Sequence, residues 1–130
     1  MSRLGQALRD RTRSSIGQVD DVSKYKIVAT YGYFAGGYTT AVVATADRIT
    51  FSTGTTAAFT AANLSQARER AAGLSDGSTY GYFAGGRITT GTAVATADRI
   101  TFSTGTTAAF TAANLSQARG AHAGLSDYAI

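Results

Sequence analysis

Short runs of alternating apolar and polar residues mark most of the chain. In the segment DRITFS, Ile49 and Phe51 alternate with polar residues, and the segment occurs again with Ile100 and Phe102. A period of two places the apolar side chains on one face of a half-buried β-strand. The STGTT sequence that follows supplies a glycine turn, AAFTAA begins a further strand, and YGYFA is rich in β-forming residues. The pattern predicts a chain of short strands with Phe51 and Phe102 in the core.

Long segments of the chain occur twice without a change, and their period defines the fold class. They are YGYFAGG at 31–37 and 80–86, VATADRITFSTGTTAAFTAANLSQAR at 43–68 and 94–119, and AGLSD at 72–76 and 123–127. The period of 49 to 51 residues is typical of propeller blades among repeat architectures. Four strands in such a unit leave no room for a helix. We therefore predict that AANLSQAR is a loop leading into a strand, although its propensity is helical.

The first 24 residues share nothing with the repeat. Leu4, Ala7 and Leu8 follow a helical spacing after Ser2, a suitable N-cap. This apolar stripe is too short to be stable alone. We interpret residues 1–24 as a docking arm that becomes ordered against a neighbouring molecule, with a frayed tail as the alternative. Its candidate contact residues are Leu4, Leu8, Arg9, Arg11 and Arg13.

Residues 25–130 resemble kelch repeats, with blades at about 31–79 and 80–130. The resemblance rests on glycine doublets, on the DRITF strand and on a small-residue run that ends in Arg; the residues concerned are Gly36, Gly37, Gly85, Gly86, 47–51, 98–102, Leu64, Ala67, Arg68, Leu115, Ala118 and Arg119. The kelch Trp is absent, and Phe59 and Phe110 are the nearest aromatic residues. The chain is also similar to the divergent kelch-like repeats of phage fibre-like and cyanobacterial repeat proteins. The resemblance implies an all-β propeller.

Two blades by themselves would expose two apolar sheet faces, more than a soluble monomer tolerates. We therefore expect the chain to associate with itself. Three chains would give a six-bladed ring, which makes a homotrimer the favoured assembly, and four chains would give eight blades. The final segment, AGLSD at 123–127, matches the one that precedes the second YGYFAGG. We expect it to complete the first blade of a neighbouring copy.

The composition excludes several kinds of chemistry. The absence of Cys rules out disulfides, thiolate metal sites and a cysteine nucleophile. His122 is the one histidine, and carboxylates are few, so we expect no enzyme activity, no cofactor and no metal site. Asp47–Arg48 and Asp98–Arg99 repeat identically, which indicates a structural pairing within each blade.

Charge and hydropathy restrict the partners. The net charge is +4, but the first 23 residues contain three Asp beside four Arg, and this balance argues against a nucleic-acid partner. No segment resembles a signal peptide or a membrane span. We expect a protein that is made in the cytoplasm without a secretion signal, associates with a virion or similar particle, and has no membrane partner.

The two repeats differ in one loop, which is two residues longer in the second copy. Such a difference is typical of a contact surface on a shared scaffold, although drift after duplication would also produce it. The candidate ligand-binding or partner-binding residues are Tyr38, Thr39, Thr40, Arg87, Thr89 and Thr90. The favoured function is a structural component of a phage virion or similar particle, docked to other particle proteins by residues 1–24. The alternatives are a glycan-binding module and a cytoplasmic kelch-type interaction scaffold.

Overall fold

The computed structural model of the protein describes residues 28–89 and 91–127. Residues 1–24, interpreted from the sequence as a docking arm with Leu4, Leu8, Arg9, Arg11 and Arg13, lie outside the described residues. So does Thr90, one of the candidate binding residues.

The described chain forms two antiparallel sheets and almost no helix. The first sheet has the strand order β1-β2-β3 and the second has the order β4-β5-β6-β7. The strands are β1 (Tyr31–Tyr38), β2 (Val42–Thr50), β3 (Thr55–Ala58), β4 (Ala72–Ser75), β5 (Tyr80–Ala84), β6 (Ala97–Thr101) and β7 (Thr106–Ala109). The predicted all-β class is confirmed.

The sheets follow the repeat, but the second sheet has an additional strand, and β1 and β2 are longer than their counterparts β5 and β6. β1, β2 and β3 correspond in sequence to β5, β6 and β7, and their pairing registers match. β4 lies between the two copies of YGYFAGG and pairs with β5, so the second sheet begins at Ala72 and not at Tyr80. β5 therefore has a neighbour on both sides, whereas β1 pairs only with β2 among the strands that the structure describes.

The AANLSQAR segment is not an α-helix in either repeat. Short 3-10 turns occupy Thr60–Ala62 and Thr111–Ala113, and irregular backbone follows each of them. Asn63 Oδ1 accepts a hydrogen bond of 2.9 Å from the Ala46 N–H, a bond from a loop side chain to strand backbone. Such a bond competes with helix formation. The prediction of a loop is confirmed.

The strand after the glycine turn begins earlier than the sequence suggests. Thr55 and Thr56, which the sequence pattern placed in the turn, already pair with β2. The strand ends at Ala58, before Phe59. Phe59 is then free to turn its ring toward the second sheet.

A small core lies between the two sheets. Ala46, Ala62 and Ile100 are buried there, and Tyr33, Ala35, Phe59, Phe83 and Phe102 pack against them. The expectation that Phe51 is a core residue is wrong for the chain alone, because 51% of Phe51 is exposed. Phe102, the identical residue of the second repeat, is half-buried against this core.

The predicted pairing of Asp47 with Arg48, and of Asp98 with Arg99, is also wrong. Neighbouring residues of a strand point to opposite faces of the sheet, so they cannot pair with each other. The Arg48 guanidinium carbon lies 4.1 Å from the centre of the Tyr31 ring and 3.9 Å from that of Phe59. Cation–π contacts thus hold each of these arginines within its own repeat.

Candidate functional site

The most specific polar contacts of the molecule join one repeat to the other. Arg68, at the end of the first repeat, points its guanidinium into the second sheet. Its Nη2 lies 3.2 Å from Asp98 Oδ2, and its Nη1 donates to the Thr96 carbonyl at 2.6 Å and to the Gly85 carbonyl at 3.3 Å. Arg68 is 1% exposed and Asp98 is 0% exposed.

Ser65 completes the surroundings of the Asp98 carboxylate. Its backbone N–H donates to Oδ2 at 2.9 Å, and its hydroxyl donates to Oδ1 at 2.6 Å. A buried ion pair is stable only when such additional hydrogen bonds satisfy the charged groups. The loop from Ser65 to Arg68 is therefore shaped to receive one carboxylate from the next repeat.

Aromatic rings form the apolar part of the junction. Tyr33 of the first sheet stacks on Phe102 of the second, with ring centres 6.4 Å apart and an interplanar angle of 14°. Phe59 lies over Gly105, where a Cβ would approach the ring to 2.8 Å. The turn between β6 and β7 therefore needs a residue without a side chain at this point.

A backbone bridge forms the third part. The Glu69 N–H donates to the Arg87 carbonyl at 2.9 Å, and the Arg87 N–H donates to the Glu69 carbonyl at 2.8 Å. Beside this bridge, a Cβ on Gly86 would lie 2.5 Å from the Glu69 carbonyl oxygen. The second glycine of the doublet thus permits close approach of the two backbones.

Identical residues differ in exposure according to whether a neighbouring repeat covers them. Asp47, the counterpart of Asp98, is exposed, and the position of Gly54, the counterpart of Gly105, has open space around it. At the opposite end of the chain, Arg119 is exposed although its counterpart Arg68 is buried. The first sheet therefore presents one uncovered half of the junction, and the second repeat presents the other half.

The candidate binding residues occupy two separate turns. Tyr38, with 63% of its surface exposed, ends β1 and precedes the exposed Thr39 and Thr40. Arg87 and Thr89 are exposed in the corresponding loop after β5. Within the described chain these positions belong to different sheets, and the backbone of Arg87 is already engaged with Glu69.

His122 is half-buried and packs beneath the second glycine doublet. A Cβ on Gly85 would lie 2.5 Å from its Cε1, and neither ring nitrogen has a hydrogen-bond partner among the described residues. Residues 28–89 and 91–127 contain no group of three or more His, Asp or Glu side chains placed to hold a metal ion. No helix in these segments has the length and apolar character needed to cross a membrane.

Sequence reasoning placed Arg68 and Asp98 in the repeat but did not connect them. The sequence did contain a signal for this contact. Ser, Arg and Asp occur at the same positions of both repeats, and none of them has a partner among its neighbours in sequence. No protein-family model matches the chain, and no curated protein matches it in sequence.

Proposed function

We propose that this protein is a non-enzymatic structural component of a phage virion or similar particle, in the tail, a fibre or the capsid surface. Its copies associate into a kelch-like propeller, with a homotrimer of six blades as the favoured ring. Residues 1–24 dock the ring onto other particle proteins. One observation carries the proposal: two nearly identical sheets pack on each other through a specific junction, and both halves of that junction recur uncovered on the outer faces.

The form of the second sheet supports a blade. β4, β5, β6 and β7 are antiparallel and adjacent in sequence order, the arrangement of a four-stranded propeller blade. The first sheet has three strands in the same order, and the described residues 28–30 that precede it supply no counterpart of β4. Blades bury both faces against neighbours, so a pair of them needs further blades or caps.

The polar chemistry of the chain supports a structural role. The buried charges Arg68 and Asp98 neutralise each other and are enclosed by backbone and serine donors and acceptors. Groups used in this way hold the two sheets together, and both side chains are closed to solvent. The remaining strand surfaces are rich in Thr and Ala, which suits packing between repeats.

Removal of residues 1–24 tests the proposal. We expect the truncated protein to assemble as the full chain does, because the junction lies in residues 28–127, but to be missing from purified particles. Native mass measurement reports assembly, and immunodetection on gradient-purified particles reports incorporation. Incorporation equal to that of the full chain would contradict the docking role of the arm. Loss of assembly would place the arm within the ring interface.

An exposed aromatic residue favours a second candidate function, glycan binding. Tyr38 stands next to two exposed hydroxyl side chains, and a sugar ring packs well on an aromatic face flanked by hydroxyl groups. A glycan array on the assembled protein, with Tyr38→Ala as the matched control, would test this. Binding that is lost in the variant would favour attachment to a surface glycan.

A further inference from the structure

The two uncovered ends of the chain are complementary to each other. We infer that copies join head to tail, so that the second repeat of one copy meets the first sheet of the next in the geometry of the internal junction. In the same contact, residues 123–126 of one copy become the fourth strand of the first sheet of the next. The inference rests on the proposed self-association and specifies its surface.

The polar contacts of this interface are inferred from the identical sequences of the two repeats. Asp98 receives Ser65 and Arg68 within the chain, and Ser116 and Arg119 occupy the same positions of the second repeat. Both Ser116 and Arg119 are exposed, as is Asp47. Among the residues that the structure describes, Asp47 and Arg119 take part in no ion pair. Asp47 on the first sheet and Arg119 at the end of the second repeat are therefore exposed charges of opposite sign, which could pair between two copies.

The aromatic half follows in the same way. Tyr33 stacks on Phe102 and Phe59 covers Gly105 at the internal junction. Tyr82 and Phe110 are their counterparts, and they lie together on the outer face of the second sheet with ring centres 6.3 Å apart. Phe51 would receive Tyr82 of the preceding copy, which accounts for an exposed phenylalanine on the first sheet.

The backbone supplies a third, independent match. β4 pairs with β5 in the register Ala72 to Ala84 and Ser75 to Gly81. The corresponding strand is β1, whose outer edge has no neighbour among the described strands. Transferred to two copies, the register sets Ala123 opposite Ala35 and Ser126 opposite Gly32.

The structure contains space for that strand. An open cleft of about 940 Å³ lies between the two sheets, and its walls include Gly32 and Tyr33 of β1 and Gly73 and Leu74 of β4. A four-residue strand takes up roughly 600 Å³ at the usual spacings of strands and sheets. The volume of the cleft is therefore sufficient for a fourth strand between β1 and β4.

Residues 121–126 are already positioned for such a role. The Ala121 N–H donates to the Arg70 carbonyl at 2.9 Å, and the Ser126 hydroxyl donates to the Ser75 carbonyl at 2.6 Å. The segment thus lies beside β4, the first strand of the second sheet, as the first strand of a following sheet would. A contact between two different surfaces of the same chain is heterologous, and it closes into a ring when the rotation permits.

Cysteine pairing tests the interface, because the chain has no cysteine of its own. Directly opposed residues of an antiparallel pair have Cβ atoms about 4.5 to 5.5 Å apart, so cysteines at Ala35 of one copy and Ala123 of another should come within reach of a disulfide. Ala35→Cys and Ala123→Cys are made as separate chains, mixed in urea, refolded together and oxidised. Ala72→Cys with Ala84→Cys in one chain is the control and should give a disulfide within the monomer, because these two residues are paired between β4 and β5.

The expected result is a covalent dimer containing one chain of each variant, with no dimer from either variant alone. Covalent dimers of a single variant would show a symmetric contact and overturn the inference. Oligomers by native mass without the mixed dimer would also overturn it while leaving self-association intact. A mixture that stays monomeric, with the control disulfide formed, would contradict both the interface and the proposed assembly.

Discussion

Arg68 and Asp98 lie 30 residues apart in the chain, yet the guanidinium and the carboxylate are 3.2 Å from each other in a site closed to solvent. This pair links two sheets that share nearly the same sequence. Because each repeat contains both an Arg and an Asp of this kind, the same bond can form again at each end of the molecule. The proposed self-association would use the same contacts as this internal junction.

Loss of the buried carboxylate should be far more damaging than loss of its exposed counterpart. Asp98→Ala leaves the Arg68 charge buried without a partner, and we expect a loss of about 3 to 5 kcal/mol in the free energy of unfolding. Asp47→Ala removes an exposed carboxylate and should change that free energy by less than about 0.5 kcal/mol. Urea unfolding in dilute solution measures the free energy of unfolding of both variants. Equal losses for Asp98→Ala and Asp47→Ala would contradict the difference in burial between the two carboxylates.

The two equivalent phenylalanines should differ in what they stabilise. Phe102 packs on the core and on Tyr33, so Phe102→Ala should lower the free energy of unfolding by about 2 to 4 kcal/mol. Phe51→Ala should cost less than about 1 kcal/mol in the dilute chain but weaken association at higher concentration. Sedimentation of both variants separates these effects, and an unchanged association of Phe51→Ala would argue against the proposed contact with Tyr82.

The second glycine of each doublet gives a similar matched pair. Gly86 and Gly37 have φ angles of +102° and +119°, so alanine is strained at both positions. At Gly86 the added methyl group would also meet the Glu69 carbonyl oxygen, whereas the space at Gly37 is open. We expect Gly86→Ala to destabilise the chain by at least about 1 kcal/mol more than Gly37→Ala. Thermal unfolding tests the order, and Gly37→Ala should in addition reduce self-association.

The turn between β4 and β5 should respond to acid. Asp76 accepts hydrogen bonds from the backbone N–H groups of Tyr80, Ser78 and Thr79, and these hold the pKa of its carboxyl below the ordinary value of 3.8. Its stabilising effect is complete above that ordinary value and is lost as the pH falls through the lowered one. Asp76→Asn should reduce the melting temperature at neutral pH and flatten its fall below about pH 4.

Asp127 is the exposed counterpart of Asp76 in the second repeat and provides the control for this measurement. Asp127→Asn makes the same substitution at a carboxylate that accepts no hydrogen bond from the described residues, so it shows what the change to Asn does by itself. If the melting temperatures of Asp76→Asn and of the unmodified chain fall in parallel as the pH is lowered, the hydrogen bonds accepted by Asp76 do not contribute to stability.

The strands and the loop could be predicted from the sequence because their signals are local. Alternation around Ile49 and the glycine turn after it specify the β2–β3 hairpin, and the repeat period specifies its second copy. The ion pair could not be predicted in this way. Because Asp47 and Arg48 are adjacent in sequence, as are Asp98 and Arg99, the sequence suggested that they pair locally. Adjacent residues of a strand point to opposite faces of the sheet, however, and Asp98 pairs with Arg68 of the other repeat.

The exposure of the outer sheet faces could not be predicted from the local sequence either. Phe51 and Phe102 stand in identical sequence, so no local pattern distinguishes them, and only the position of the second sheet decides which one is covered. Thr90 and the residues of the arm lie outside the described chain, and their roles stay predictions.

The mass of the assembled protein in solution decides whether its copies form a closed ring. Native mass spectrometry of the full chain, supported by sedimentation over a range of concentrations, should find a closed species of three chains of 13.4 kDa each, that is, about 40 kDa. A charge-reversed pair, Asp47→Arg with Arg119→Asp, should restore a species that either change alone weakens. A monodisperse monomer of 13.4 kDa that unfolds cooperatively at high concentration would contradict the account.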